Sequence, residues 1–119
     1  MNKILVCKNY YHRLLVKDTD GIEMLFVDQA VVSSPMDEVS GLEDVVKAAR
    51  SFSTHLESME IIQSFEKEND VVLVYTFKLF GVSQKGVSVF TLSNNLKIEK
   101  INLFYDTHPY RVKREEIFG

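Results

Sequence analysis

Cys7, His12, His55 and His108 carry the nucleophilic, metal-ligating or near-neutral side chains of this chain. A cysteine nucleophile needs a base held beside it, and His12 lies five residues on, off the i+4 step that would align the two on a helix. With Leu5, Val6 and Lys8 around it, Cys7 reads as a partly buried thiol on a helix. No pair of histidines has ligand spacing, so no metal or other cofactor is called for. His55 begins a strand, where it is either half exposed or at a pocket mouth, titrating near neutrality. A lone cysteine makes no intrachain disulfide, which fits a reducing compartment.

The bulk properties narrow the classes. At 119 residues the chain holds one domain, 1–119, since a second core would lack material. An apolar fraction of 45%, with eight Phe and five Tyr, supplies a sizeable core. A net charge of −3 argues against a nucleic-acid binder, which needs a basic stripe to displace counterions. The one basic cluster, Arg111, Lys113 and Arg114, is followed by Glu115 and Glu116 and reads as a solvated tail. Polar residues interrupt the apolar start before a signal-peptide core is complete, and no run is long enough to span a bilayer. The expectation is a cytoplasmic protein with no membrane partner.

Periodicity places the elements. Ile4, Leu5, Cys7, Tyr11, Leu14 and Leu15 recur at helical steps, predicting a helix over 4–16. Asp18 or Thr19 caps a second short helix through Ile22, Met24, Leu25 and Phe26. A strand over 27–34 stops at Pro35, and Leu42, Val45, Val46, Ala49 and Phe52 make a third helix. From His55 on the period is two, over 55–66, 71–80, 87–93 and 96–105, with turns at 68–70, 81–86 and 93–95. These short connections imply antiparallel hairpins. The order α-α-β-α-β-β-β-β is an α+β pattern.

In the strand over 71–80, Val71, Leu73, Tyr75, Phe77 and Leu79 share one face, and Val72, Val74, Thr76 and Phe80 the other. Three helices can cover one face only, so the outer one either meets a second copy in a homodimer or belongs to a strand that sits centrally in a strongly curled sheet; a homodimer is the expectation.

The stretch from Asp18 to Pro35, DTDGIEMLFVDQAVVSSP, and the closing strand LKIEKINLFYD, Leu96 to Asp106, resemble the NTF2-like superfamily, which includes ketosteroid isomerases and SnoaL-like polyketide cyclases. The resemblance spans nearly the whole chain. It implies a cystatin-like cone, with three N-terminal helices on a curved, mainly antiparallel sheet, an apolar pocket and a dimer through the outer sheet face.

Position by position, the resemblance puts the isomerase base at Ser34, its tyrosine donor at Tyr10 and its second, carboxylic-acid donor near Ser88. Serine has no accessible ionisation and cannot be the base. Two of the three isomerase groups are therefore absent, and ketosteroid isomerase activity is not expected. A SnoaL-like cyclase would use a carboxylate at the end of the last strand, where Asp106 stands, with Tyr10 or His55 assisting. Asp106 also opens the turn Asp-Thr-His-Pro, a place aspartate favours for its backbone hydrogen bonds. Asp28, at the family's acidic position, is expected to satisfy backbone amides. The implied pocket for a small hydrophobic ligand is lined by Tyr10, Leu14, Ser34, Phe52, Tyr75, Phe77, Ser88, Phe90, Asn102 and Phe104. Two functions are in view, proton transfer of the isomerase or cyclase type and a non-enzymatic homodimeric binding module.

Overall fold

A computed structural model of the chain describes residues 2–110. The basic cluster Arg111, Lys113 and Arg114 lies outside them. Helix α1 runs Lys3–Leu15; the Asn2 side chain caps it by accepting from the Leu5 N–H at 2.8 Å. It buries Val6, Cys7, Tyr10, Tyr11 and Leu14 along one face. Lys17, with φ of 65°, ends it and sends its ammonium to the carbonyls of Ser53 and Leu56. This ties the exit of α1 to the C-terminal end of helix α2, Leu42–His55. A further bond, Ser53 Oγ to the Leu14 carbonyl at 2.6 Å, closes the same contact.

The second helical segment is a 3-10 turn, Ile22–Leu25, and Phe26 already belongs to strand β1, Phe26–Ser33. After Pro35 the chain reverses through a Ser34 N–H to Asp37 carbonyl bond of 2.8 Å into a strand not expected from the sequence, β2, Glu38–Ser40. Three residues are too few for a period-two signal. Strands β3 (Leu56–Lys67), β4 (Asp70–Leu79), β5 (Val82–Leu92) and β6 (Ile98–Phe104) follow α2.

The sheet has the order β2-β1-β6-β5-β4-β3, antiparallel except for β1 beside β6. Register shifts in β3 and between β1 and β6 are bulges, which bend strands. The helices lie over one face, α1 against β3 and β4, α2 against β1 and β2.

Two strand boundaries differ from expectation. The glycine-flanked segment 81–86, expected as a turn, belongs mostly to β5; the turn is Phe80–Gly81 alone, both with positive φ. Gly86 lies inside β5, opposite Tyr75. Likewise β6 starts at Ile98, since Leu96 takes φ of 63° in the preceding turn. Glu68, with φ of 55° between β3 and β4, also sits where glycine is favoured. Glu68→Gly should raise stability by about 0.5–1 kcal/mol in urea unfolding, the relieved left-handed strain exceeding the added chain entropy.

The faces of β4 fall as its alternation predicts: Val71, Leu73, Tyr75, Phe77 and Leu79 are buried under the helices, and Val72, Val74 and Thr76 are half-buried on the outer face. No helix of the described residues is long and apolar enough to cross a membrane.

Candidate functional site

Between α1, α2, β1, β2 and β6 lies a cavity of about 200 Å³. Tyr10 and Tyr11 of α1, Val45, Ala48, Ala49 and Phe52 of α2, and Val32, Val39, Ile101, Leu103 and Tyr105 wall it, with Ser34 and Asp37 at its polar mouth. The helical positions follow from i, i+3, i+4 and i+7 spacing in α2, which turns Val45, Ala48, Ala49 and Phe52 to one side.

Tyr10 is 5% exposed, and its ring meets Phe26 and Phe90 edge-on at 5.4 and 6.1 Å. Among the described residues its hydroxyl has no hydrogen-bond partner, yet no fully enclosed side-chain polar atom is left without one. The hydroxyl is therefore not fully enclosed, and Tyr10 is one of the residues that line the cavity. Burial, then the nearby Tyr75, pushes its pKa well above the usual tyrosine value, so it stays a neutral donor.

Tyr11 is engaged differently. Its hydroxyl lies 2.5 Å from Ser88 Oγ, which in turn lies 2.6 Å from the Tyr75 hydroxyl, all buried. The serine has one proton and two lone pairs, so it donates to at most one of the tyrosines and accepts from at least one. Burial raises the pKa of both tyrosines. This cluster fills the position where the resemblance put a carboxylic acid.

Of the residues expected at the pocket, Tyr10, Ser34 and Phe52 line the cavity. Leu14, Tyr75, Phe77, Ser88 and Phe90 are buried in the core behind its wall. Asn102, Phe104 and Asp106 are corrected. Residues of β6 pair as Ser88 with Leu103 and Phe90 with Ile101, so Ile101 and Leu103 face inward and Asn102 and Phe104 outward. Asp106, just past β6, is exposed; its N–H donates to Gln84 Oε1 and its carbonyl accepts from Gln84 Nε2, both at 3.0 Å. Its carboxylate accepts from the His108 N–H at 3.0 Å, the backbone bond of a turn.

His55 is also outside the cavity, exposed at the end of α2, with its ring 4.4 Å from that of Phe80. Asp28 is exposed in β1, in a shallow concavity with Glu99 and Lys100, and not in a turn. Cys7 is fully buried and its thiol is pushed up to about 12 by burial, which suits an inert core residue. Among the described residues no three His, Cys, Asp or Glu side chains gather as a metal site.

The sequence reading missed Asp37, Tyr11 and Tyr105. Tyr11 and Tyr105 follow from helix and strand parity once one neighbour is placed. Asp37 carries no periodic signal, because the reversal after Pro35 brings it to the cavity: Ser34 Oγ accepts from the Met36 and Asp37 N–H groups at 3.2 Å each. Asp37 Oδ1 accepts from the Glu38 N–H at 2.8 Å.

No family model matches the chain, and no curated protein matches it in sequence. Solved structures do match its fold. An NTF2-like protein of unknown function from Cytophaga hutchinsonii superimposes with a TM-score of 0.83 at 16% identity, over 93% of this chain and 96% of that one. A steroid delta-isomerase from Pseudomonas aeruginosa gives 0.80 at 17% identity, over 97% and 88%. A candidate polyketide cyclase from Sinorhizobium meliloti gives 0.73 at 15%, over 82% and 92%. The chain thus has the NTF2-like, cystatin-like α+β fold, here with an apolar cavity under its helices. At these identities the likeness is one of fold, and fold does not carry chemistry.

Proposed function

We propose that the cavity binds a small, mainly apolar carbonyl compound and moves a proton at the carbon beside the carbonyl, as isomerases and cyclases do, without a cofactor. The observation that carries this reading is Tyr10, a wall residue of an apolar cavity whose hydroxyl is not fully enclosed and has no protein partner among the described residues. A donor with no protein partner can give its hydrogen bond to an acceptor that enters the cavity, in place of water.

In this reading Asp37, at the mouth, replaces Asp106 as the base. Its carboxylate takes the proton from carbon, the C–H electron pair becomes the enolate double bond, and charge moves to oxygen, where Tyr10 donates. Asp37 then returns the proton to another carbon. The volume of about 200 Å³ is below the roughly 300–1,000 Å³ of drug-sized sites, which favours a one-ring ligand over a steroid.

The test is deuterium exchange beside the carbonyl of cyclohex-3-enone, followed by NMR. Exchange above the buffer rate supports proton transfer. Saturable binding with no exchange, across a panel of one-ring ketones, supports the non-enzymatic binding module instead.

A second feature favours assembly. On the outer sheet face Phe65, Val72 and Val89 form one cross-strand row and Val74, Val87 and Phe104 the next. Phe65 and Phe104 are 54% and 55% exposed, and Ile62, at the β3 bulge, 49%. Two copies packed through this face would cover it, as a homodimer buries about 800 Å² per partner or more. Sedimentation equilibrium should give twice the chain mass, and Phe65→Glu should give the single-chain mass with unchanged circular dichroism. A monomeric parent protein sinks this reading.

A further inference from the structure

Helix α1 carries no acidic residue, although the chain as a whole is negative. Two of its cations are engaged: Lys3 lies 3.9 Å from the Glu66 carboxylate and Arg13 3.7 Å from that of Asp18. Lys8 and His12, one turn apart on the same side of the helix, make no ion pair among the described residues. Both stand on the rim of a second concavity, about 210 Å³, between α1 and β3.

The rest of that groove is apolar. Leu15 and Tyr11 of α1 and Met59 and Ile61 of β3 line it. Met59 and Ile61 pair with Phe77 and Tyr75 and so lie on the helix side of the sheet. None of the three acids of β3 lines the groove: Glu60 pairs with Thr76 on the outer face, Glu57 accepts from the Gly81 N–H at 2.7 Å, and Glu66, opposite Val71 on the helix side, is the partner of Lys3. The Tyr11 ring belongs to both walls, so it divides this groove from the main cavity. Its hydroxyl, held by Ser88, fixes the partition.

We propose that this groove is a second binding site, selective for small amphipathic carboxylates. The apolar part of such a ligand lies on Leu15, Met59 and Ile61, and its carboxylate meets the Lys8 ammonium and the His12 ring N–H. The site is independent of proton transfer in the main cavity and stands whether or not that reaction occurs.

An NMR titration with sodium hexanoate, alongside hexan-1-ol of the same chain length, tests it. Hexanoate should shift the Met59 methyl and Ile61 signals saturably and bind about tenfold more tightly than the alcohol. Lys8→Gln should remove that preference and Lys8→Arg should keep it. Equal binding of acid and alcohol, shifts confined to Val45 and Ala48 in the main cavity, or a hexanoate affinity unchanged in Lys8→Gln would each overturn the proposal.

Discussion

Gly86→Ala should destabilise the protein by about 1–3 kcal/mol, although alanine normally strengthens a strand by reducing the entropy of the unfolded chain. Gly86 is opposite Tyr75 in the sheet, and a Cβ there would come within 2.8 Å of Tyr75 Cε2 and 3.0 Å of Phe77 Cε1. Neither ring can easily retreat. Tyr75 is anchored through Ser88 to Tyr11, and Phe77 is packed edge-on against Tyr105 at 6.0 Å. The added methyl therefore strains the layer behind the cavity. Urea unfolding measures the loss, and Tyr75→Leu in the same chain should recover part of it by making room, so the double variant is less destabilised than the two single losses summed. An alanine variant as stable as the parent would show that the layer yields, and that Gly86 is not what lets the rings sit there.

Asp37→Asn should lower the exchange rate about 10²- to 10⁴-fold, the usual contribution of a positioned base. The asparagine oxygen can still accept from the Glu38 N–H, so the turn that brings residue 37 to the cavity is kept. Tyr10→Phe should cost about 10²-fold or more in rate, as losing one enolate donor does elsewhere, with stability unchanged or slightly raised, since that hydroxyl has no partner among the described residues. A Tyr10→Phe protein that exchanges at the parent rate would remove the tyrosine from the mechanism, and an unaffected Asp37→Asn would remove the base.

The pH dependence has a defined sign. Burial raises the pKa of Tyr10, Tyr11 and Tyr75, so the folded chain holds these protons more tightly than the unfolded one. Their neutral forms support the fold in full below the unfolded tyrosine value near 10, and that support falls as pH rises above it. Exchange should accordingly show no tyrosine limb below about pH 10.

Much of the scaffold was legible in the sequence because it rests on periodicity. The α1 and α2 stripes and the two-faced β4 need only the apolar residues and the step between them. The site was less legible. The sequence points Asp106, Asn102 and Phe104 at the pocket, whereas the pairing of β5 with β6 turns Ile101 and Leu103 inward. With a side-chain period of two, an error of one residue moves the whole set to the other face. Nothing local to β6 separates the two choices, since both parities carry apolar residues.

The amino-acid sequence by itself determined an α+β domain with helices over one face of a long antiparallel meander and an apolar outer face, because amphipathic period and turn chemistry are local properties. Tertiary structure alone decided which polar groups meet at the cavity. Asp37 reaches it through the reversal after Pro35, Tyr10 has a hydroxyl without a partner among the described residues, and Tyr11 and Tyr75 converge on Ser88 across α1, β4 and β5. Contacts between residues far apart in the chain depend on register and packing, which no single segment encodes.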